Sequence, residues 1–573
     1  MSSEELRAKF LAFFEQKGHK LVPASSLIPE NDASVLFTTA GMQQFKPYYI
    51  GQADAQKDFG SLSTTSAQTC VRTSDIDEVG DNTHLTFFEM LGNFSFGGYG
   101  KKEAITYAHD FITKELGLEI SSVTFFRGDS SVPKDEESAS VWAELGVKDI
   151  REDGPDVFWG PTGNSGPCGP TTEIYCRNAS GEEVEIWNIV FNQYFCEGSR
   201  AELDAGQAKL REISLGIDTG MGLERLLTIT QKQASVYQTD LFAPILSEIK
   251  QQSAKFDDQS ARIVADHVRA ATFMLADGVV PSNVERGYVL RRIIRRAVRY
   301  IDKMQADSNA LSQIAGVVIE KYKEIYPKLE QNRDKILEEL KKEEEKFRQT
   351  LTQGIKEFEK GRDPFDLYQT YGFPIELTEE LAKEKGIKID RQAFDEKLKQ
   401  HQEISKAGAE QKFKGGLAGT GEMETKYHTA THLLLAALRQ VLGQDITQKG
   451  SNITSEKLRF DFNWPEKLTT EQLKVVEDLV NEKIAEKIEV EMLELHKEEA
   501  KKLVTVRSFD DSKYGDTVKV YKIGDFSTEF CGGPHVANTS ELASTSSARA
   551  VKFKIVKEEA VAAGIRRIKA TLD

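Results

Sequence analysis

The chain has 573 residues, 39% of them apolar and 29% charged, with a formal net charge of −16. That length suits roughly three or four domains, and the lack of any run of about 18 apolar residues excludes a membrane-spanning helix. The acidic balance argues against a general nucleic-acid coat, though a local basic groove remains compatible with it. Five scattered cysteines, an odd number, fit a reducing compartment better than a disulfide framework.

The first twenty residues, MSSEELRAKFLAFFEQKGHK, form an amphipathic helix with acidic residues and lack the basic-then-apolar order of a secretory signal. Residues 1–245 then alternate short apolar runs with Gly, Pro, Asn and Asp clusters. LTFFEMLGNFSFGGYG and EVEIWNIVFNQYF suit buried strands with their turns. This part is expected to be α+β with an antiparallel sheet. From 246 to 412 the apolar residues recur at three and four, which predicts a helix bundle. Within it, Lys328 to Lys360 is one long charged helix or a broken pair, a solvated brace. Residues 405–426 are glycine-rich, and 413–426 is expected to be a linker. A final α+β unit occupies 427–573.

Three segments of the first part point to one chemistry. They are TCVRTSDIDEVG followed by LTFFEMLGNFSFG, then GPTGNSGPCGPTTEIY with EVEIWNIVFNQY behind it, then GIDTGMGLERL. Activating a carboxylate with a nucleotide requires fixed positive charge around a triphosphate, and arginine's planar fork binds phosphate oxygens in two places. Arg72 and Arg225 are the candidates, with Gly220 and Gly222 where backbone must approach a ligand. In this order the three segments resemble the motifs of a class II aminoacyl-tRNA synthetase. FFEMLGNFSFG, GPCGP, EIWNIVF, DTGMGLER and RGYVLRRIIRRAVR are similar to the wording of the alanyl-tRNA synthetase family, and the resemblance spans almost the whole chain.

The resemblance implies ATP-dependent, Mg²⁺-assisted ligation of alanine to tRNA(Ala) through an alanyl-adenylate. Arg72 would hold the α-phosphate and the substrate carboxylate, and Arg225 the far end of the triphosphate. Ile186, Trp187, Asn188 and Gly222 would line the ATP site, and Trp159 would border both ligands. Asp218 would pair with the substrate ammonium, Val190 would touch the alanine methyl, and Gly220 would flank them. The family commonly has two histidines before TFFEM, the second contacting ATP. This chain reads His84-Leu85-Thr86 instead.

YHTATHLLLAAL places His428 and His432 four apart on one helix face, and EFCGGPHV supplies Cys531 and His535. Three imidazoles and a thiolate form a plausible tetrahedral zinc set. The same arrangement resembles the family's editing domain, which implies hydrolysis of Ser-tRNA(Ala) or Gly-tRNA(Ala), with Gln448 and Arg459 in the pocket beside the metal.

The stretch Arg286 to Tyr300 holds six arginines. Arg291, Arg292, Arg295 and Arg296 are expected to track tRNA phosphates. By resemblance, Asn283 would read the G·U wobble pair of the acceptor stem, together with the residue that is usually aspartate in LYDTYGFP. Here the phrase is LYQTYGFP, and Gln369, which both donates and accepts, takes that place. The family's β-barrel before the editing helix and its C-terminal coiled coil and domain have no counterpart in the sequence, so a compact, monomeric, cytoplasmic enzyme is expected. Two rival readings are a deacylase of mischarged tRNA with an inactive synthetase half, and a non-enzymatic RNA-binding regulator. The retained Arg72, Asp218 and Arg225 oppose the first, and the complete zinc and activation sets oppose the second.

Overall fold

A computed structural model describes residues 1–29, 32, 35–307, 309–400, 421–496, 499–500, 503, 517–543, 552–562 and 564–572. The chain folds as two compact units, Met1–Ile389 and Asp390–Asp573.

Unit 1 is built on a nine-stranded sheet. Its strands are β1 (Lys20–Leu21), β2 (Ser63–Val71), β3 (Phe87–Ser95), β4 (Ser122–Phe126), β5 (Ile150–Asp153), β6 (Phe158–Trp159), β7 (Gly166–Arg177), β8 (Glu183–Cys196) and β9 (Leu210–Gly222). Their order is β1-β2-β3-β9-β8-β7-β4-β5, with β6 paired to β7. The pairs β1–β2 and β4–β5 are parallel and the other pairs antiparallel. The predicted strands LTFFEMLGNFSFGGYG and EVEIWNIVFNQYF are β3 and β8, long apolar runs in the middle of the sheet. The amphipathic start is the helix Ser3–Gln16, with a capping box at Ser2 and Glu5. Its Phe10 and Phe14 are fully buried and pack against Trp187 of β8.

Residue 245 is not a structural break. One apolar core runs from Leu6 through the sheet to Ala382. Buried charges also cross that line. Arg7 pairs with Glu89 at 2.8 Å, Tyr326 donates to Glu89 at 2.8 Å, and Arg269 pairs with Glu224, whose carboxylate accepts from the Glu89 backbone at 3.2 Å. The helices after the sheet include Asp258–Ala276, Glu285–Lys303, Ala310–Tyr322, Arg333–Glu359, Pro364–Tyr371 and Ile375–Glu384. The expected charged brace is the short Lys328–Gln331 followed by the 27-residue Arg333–Glu359. Its thin apolar stripe is buried, with Ile336, Leu340, Phe347 and Leu351 along one face.

Unit 2 contains a four-stranded antiparallel sheet ordered β10-β11-β16-β15 and a three-stranded one ordered β12-β13-β14. The strands are β10 (Gln448–Ile453), β11 (Leu458–Asn463), β12 (Val490–His496), β13 (Thr517–Ile523), β14 (Ser527–Phe530), β15 (Phe553–Ala562) and β16 (Ile565–Leu572). The helices Glu422–Leu442 and Thr470–Ala485 cover a core containing Leu434, Phe460, Phe462, Val480 and Ile568. The expected linker lies outside the described residues up to 420. Its last part, 422–426, belongs to the helix Glu422–Leu442, so that helix starts before 427.

Candidate functional site

Strand alternation in β8 and β9 builds a cavity of about 250 Å³ in unit 1. Val190 and Asp218 face each other across the β8–β9 pair, as do Asn188 and Gly220. Arg72, Trp159, Ile186, Asn188, Val190, Asp218, Gly220, Gly222 and Arg225 all line this cavity. Residues more than 150 positions apart in sequence therefore share one wall. The cavity side of Gly220 is closed by Met90, whose Sδ would lie 2.8 Å from any added Cβ. Arg72 lies over the Phe88 ring at 5.0 Å, a contact between its positive charge and the ring face that helps to hold the guanidinium in place.

Trp187 requires a correction. Its indole is 0% exposed and packs among Phe10, Phe14 and Phe111, so it belongs to the core and not to the cavity. The word EIWN is contiguous, but its side chains alternate, and a tryptophan between Ile186 and Asn188 must face the other way. A β-bulge adds a wall residue on the cavity side. The register steps from Trp187–Ile174 to Glu185–Tyr175, leaving Ile186 unpaired and Glu185 beside the cavity. Leu85, at the position of the family's second histidine, is an apolar lining residue.

Two carboxylates here are absent from the residues expected from sequence. Glu185 pairs with Arg225 at 3.0 Å. Glu173 accepts from Asn188 Nδ2 at 3.1 Å and from the Tyr175 hydroxyl at 2.8 Å. Burial and the Glu185 charge raise the Glu173 carboxyl to about 7. The signal that could have found them is the alternation in TTEIY and EVEIW. Asn188 Oδ1 is buried with no partner among the described residues, an acceptor held toward the cavity side. Asp218 is 4% exposed, and burial pushes its carboxyl up to about 8. No cation among the described residues pairs with it, so a cationic group entering the cavity would find a partner there.

Unit 2 gathers the second set. His428, His432, Cys531 and His535 bring their ligand atoms within 4.8 Å of one another. Each ring nitrogen that faces outward is occupied. His428 Nδ1 lies 2.9 Å from the Pro534 carbonyl, His432 Nδ1 3.1 Å from Glu529, and His535 Nδ1 3.1 Å from the Thr429 hydroxyl. The three Nε2 atoms are left for a common centre. His428 Nε2 is 3.4 Å from Cys531 Sγ, and His535 Nε2 is buried with no partner among the described residues. Against burial, the surrounding histidines, His428 foremost, lower the Cys531 thiol, which favours the thiolate form that binds metal. Burial takes His535 down to about 3, which keeps that ring neutral. Three nitrogens and one thiolate, each imidazole with an orienting partner, fit zinc. The CGG turn is required here, because a side chain at Gly533 would collide with the His428 ring.

Gln448 and Arg459 do not share a wall with each other. Gln448 pairs with Phe462, on the core face of the sheet, and donates to Ser451 at 2.9 Å. Arg459 alternates with the buried Leu458 and Phe460, so it lies on the opposite face, 3.7 Å from Asp461. The joint pocket expected for them is corrected on that ground.

The arginine helix, Glu285–Lys303, is likewise not an open phosphate track. Arg291 and Arg295 face Glu343 at 3.0 Å each, Arg292 pairs with Asp77 at 2.7 Å, and Arg296 pairs with Glu380. Arginines spaced at three and four form one stripe, and the acids of the helices Arg333–Glu359 and Ile375–Glu384 cover it. Asn283 and Gln369 are exposed at the ends of this helical layer.

Comparison with known proteins finds two family matches, the first of which runs past the end of unit 1 into the helix that carries His428 and His432. Residues 5–450 match the family "tRNA synthetases class II (A)", and residues 518–569 match "Threonyl and Alanyl tRNA synthetase second additional domain". The chain is 46% identical to an alanine–tRNA ligase of Borrelia hermsii, with all of both chains covered. It is 48% identical to one of Treponema denticola, covering 100% of this chain and 99% of that one. A relative of the same name from Dehalococcoides mccartyi is 35% identical, with 99% of this chain and 80% of the other covered. That last alignment is 724 residues long, so the longer relative carries insertions within the shared region.

Proposed function

The chain belongs to the alanyl-tRNA synthetase family, whose members join alanine to tRNA, and from that premise we propose how its two sites divide the work. The unit 1 cavity binds ATP and alanine and forms the alanyl-adenylate. Asp218 receives the ammonium, Val190 bounds the methyl, and Arg72 draws the alanine carboxylate and the α-phosphate together. Arg225 releases Glu185 to hold the outer phosphates. Asn188, fixed by Glu173, offers its free carbonyl oxygen to the nucleotide. In-line attack of the carboxylate on the α-phosphate then depends mainly on positioning and charge stabilisation. Glu173 and Glu185 are hard oxygen ligands suited to Mg²⁺ carried in with ATP. The tRNA terminal hydroxyl takes the alanyl group next, with Asn283 and Gln369 as readers of the acceptor stem.

Unit 2 is proposed as the hydrolytic site for Ser-tRNA(Ala) and Gly-tRNA(Ala). Zinc held by His428, His432, Cys531 and His535 would supply fixed positive charge and order the pocket. With all four side chains engaged, the protein fills every tetrahedral position.

The observation that carries this reading is the buried Asp218 opposite Val190, a carboxyl group that pairs with no cation among the described residues and lies beside a small apolar wall. The test is alanine-dependent ATP–pyrophosphate exchange. The parent protein is expected to exchange and Arg72→Ala to lose orders of magnitude in rate. Near-normal exchange by that variant would remove the reaction from this cavity.

A further inference from the structure

We propose that Glu343 is a positioning residue for acceptor-stem selection, a single buried carboxylate that clamps the two segments carrying Asn283 and Gln369. The inference rests on the reading of those two residues given above.

Glu343 lies on the long helix Arg333–Glu359, and its side chain is 6% exposed. Its Oε1 faces two arginines one turn apart on the arginine helix. Arg295 Nε donates to it at 3.0 Å, and Arg291 Nε approaches to the same distance as an ionic contact. Each arginine then reaches on with its other nitrogens. Arg291 donates to the Asn283 side-chain oxygen and, at 3.1 Å, to the Pro281 carbonyl. Arg295 donates to the Gly372 carbonyl at 2.8 Å. Gly372 ends the helix Pro364–Tyr371 that carries Gln369, in the left-handed conformation with φ of 65°. The arm is stiffened on its apolar side. Arg295 lies over Phe347 at 4.9 Å, and Phe347 stacks with Phe373, the residue after Gly372.

One carboxylate therefore sets two positions. Because Arg291 takes the Asn283 oxygen, the Asn283 amide is left to present its N–H donors outward. Because Arg295 holds Gly372, the last turn of the Gln369 helix is fixed relative to the same helix. Both guanidiniums are largely buried, 13% and 12% exposed at the side chain. Without Glu343 they would face each other uncompensated and part, and the two readers would lose their common frame. None of these residues lines the ATP cavity.

The test uses the full chain and paired tRNA substrates bearing G·U or G·C at that acceptor-stem pair. Glu343→Gln is expected to keep tRNA-independent pyrophosphate exchange within about twofold, while tRNA charging (kcat/KM) falls about tenfold or more through misplacement alone. The G·U over G·C preference should collapse toward that of Asn283→Ala, and Glu343→Asp should restore part of it. Arg295→Met is the companion variant, since it removes one arm together with its charge and leaves Glu343 paired to Arg291. It should lower the preference in the parent and do nothing further in a Gln369→Ala background. If Asn283→Ala and Gln369→Ala leave the preference intact, the reader assignment fails. If they abolish it while Glu343→Gln and Arg295→Met keep the parent's preference, or if Arg295→Met and Gln369→Ala add independently, the clamp is overturned.

Discussion

If Asp218 receives the alanine ammonium as proposed, alanine binding should depend on pH in a range where most carboxylates are silent. The Asp218 carboxyl is raised by burial to about 8, so in the free protein at neutral pH it is mostly protonated. An ammonium ligand needs it ionised, and binding therefore releases a proton. With that pKa, about 1% of the group is ionised at pH 6 and about half at pH 8, so the apparent Kd for an amine-bearing ligand should fall about 50-fold across that interval. At pH 7 the cost is about 1.4 kcal/mol, one pH unit below the midpoint. The same shift lowers fold stability as pH rises from about 4 toward 8, because the native state then holds a proton that the unfolded chain has lost. Calorimetry with a non-hydrolysable alanyl-adenylate mimic, at pH values from 6 to 8, measures the effect. The matching mimic without the amine is the control for Glu173, which titrates nearby and acts on both ligands. The amine-bearing mimic should tighten steeply with pH while the control changes little. Asp218→Asn should abolish the difference and weaken the amine-bearing mimic far more than ATP. Parallel slopes for the two mimics, or an unchanged amine contribution in Asp218→Asn, would refute the assignment.

The buried charges yield two more expected outcomes. Glu529→Gln removes the charge behind His432, and zinc affinity should drop about 10–100-fold, read by competition with a chromogenic chelator. An unchanged affinity would mean that Glu529 does not orient the ligand. Arg269→Met leaves Glu224 buried and unpaired beneath the cavity, and should destabilise unit 1 by about 3–5 kcal/mol in denaturant unfolding. A shift under about 1 kcal/mol would show that Tyr326, Arg7 and Glu89 satisfy the site without Arg269.

The residues legible in the sequence are those whose roles depend on spacing within one segment. His428 and His432 fall on one helical face, whereas Asp218 and Val190 were legible only through the family resemblance, since GIDTGMG has no apolar run to mark its strand. Glu529 is also within reach, since it stands two before Cys531 and strand alternation puts both on the same side. Trp187 fails by the same rule, because a contiguous motif word is not a contiguous wall. The arginine helix is different in kind. Whether Arg291 and Arg295 meet phosphate or protein is decided by Glu343, about fifty residues away, and nothing in RGYVLRRIIRRAVRY reveals that partner. Gln448 and Arg459 are a third case, where two residues close in sequence are separated by the thickness of a sheet.

The location of the polar chemistry also explains why the chain carries two sites. The alanine end of the unit 1 cavity is walled by Val190 and Met90, both buried and neither able to donate a strong hydrogen bond. Such a wall rejects larger side chains by collision. Glycine differs from alanine by one methyl and serine by one hydroxyl, and an apolar wall discriminates such differences by only about 1–3 kcal/mol. In the proposed reading Asp218 and Arg72 cannot add to this, because they would bind the ammonium and carboxylate that all three amino acids share. A donor or acceptor placed here to sense the serine hydroxyl would itself be left unpaired when alanine is bound, at a cost of about 1–3 kcal/mol to the correct reaction. The polar, charged groups that could sense it are instead collected around the thiolate and imidazoles of unit 2. If unit 2 is the hydrolytic site proposed above, distinguishing small amino acids is moved to a place where alanine itself need not bind.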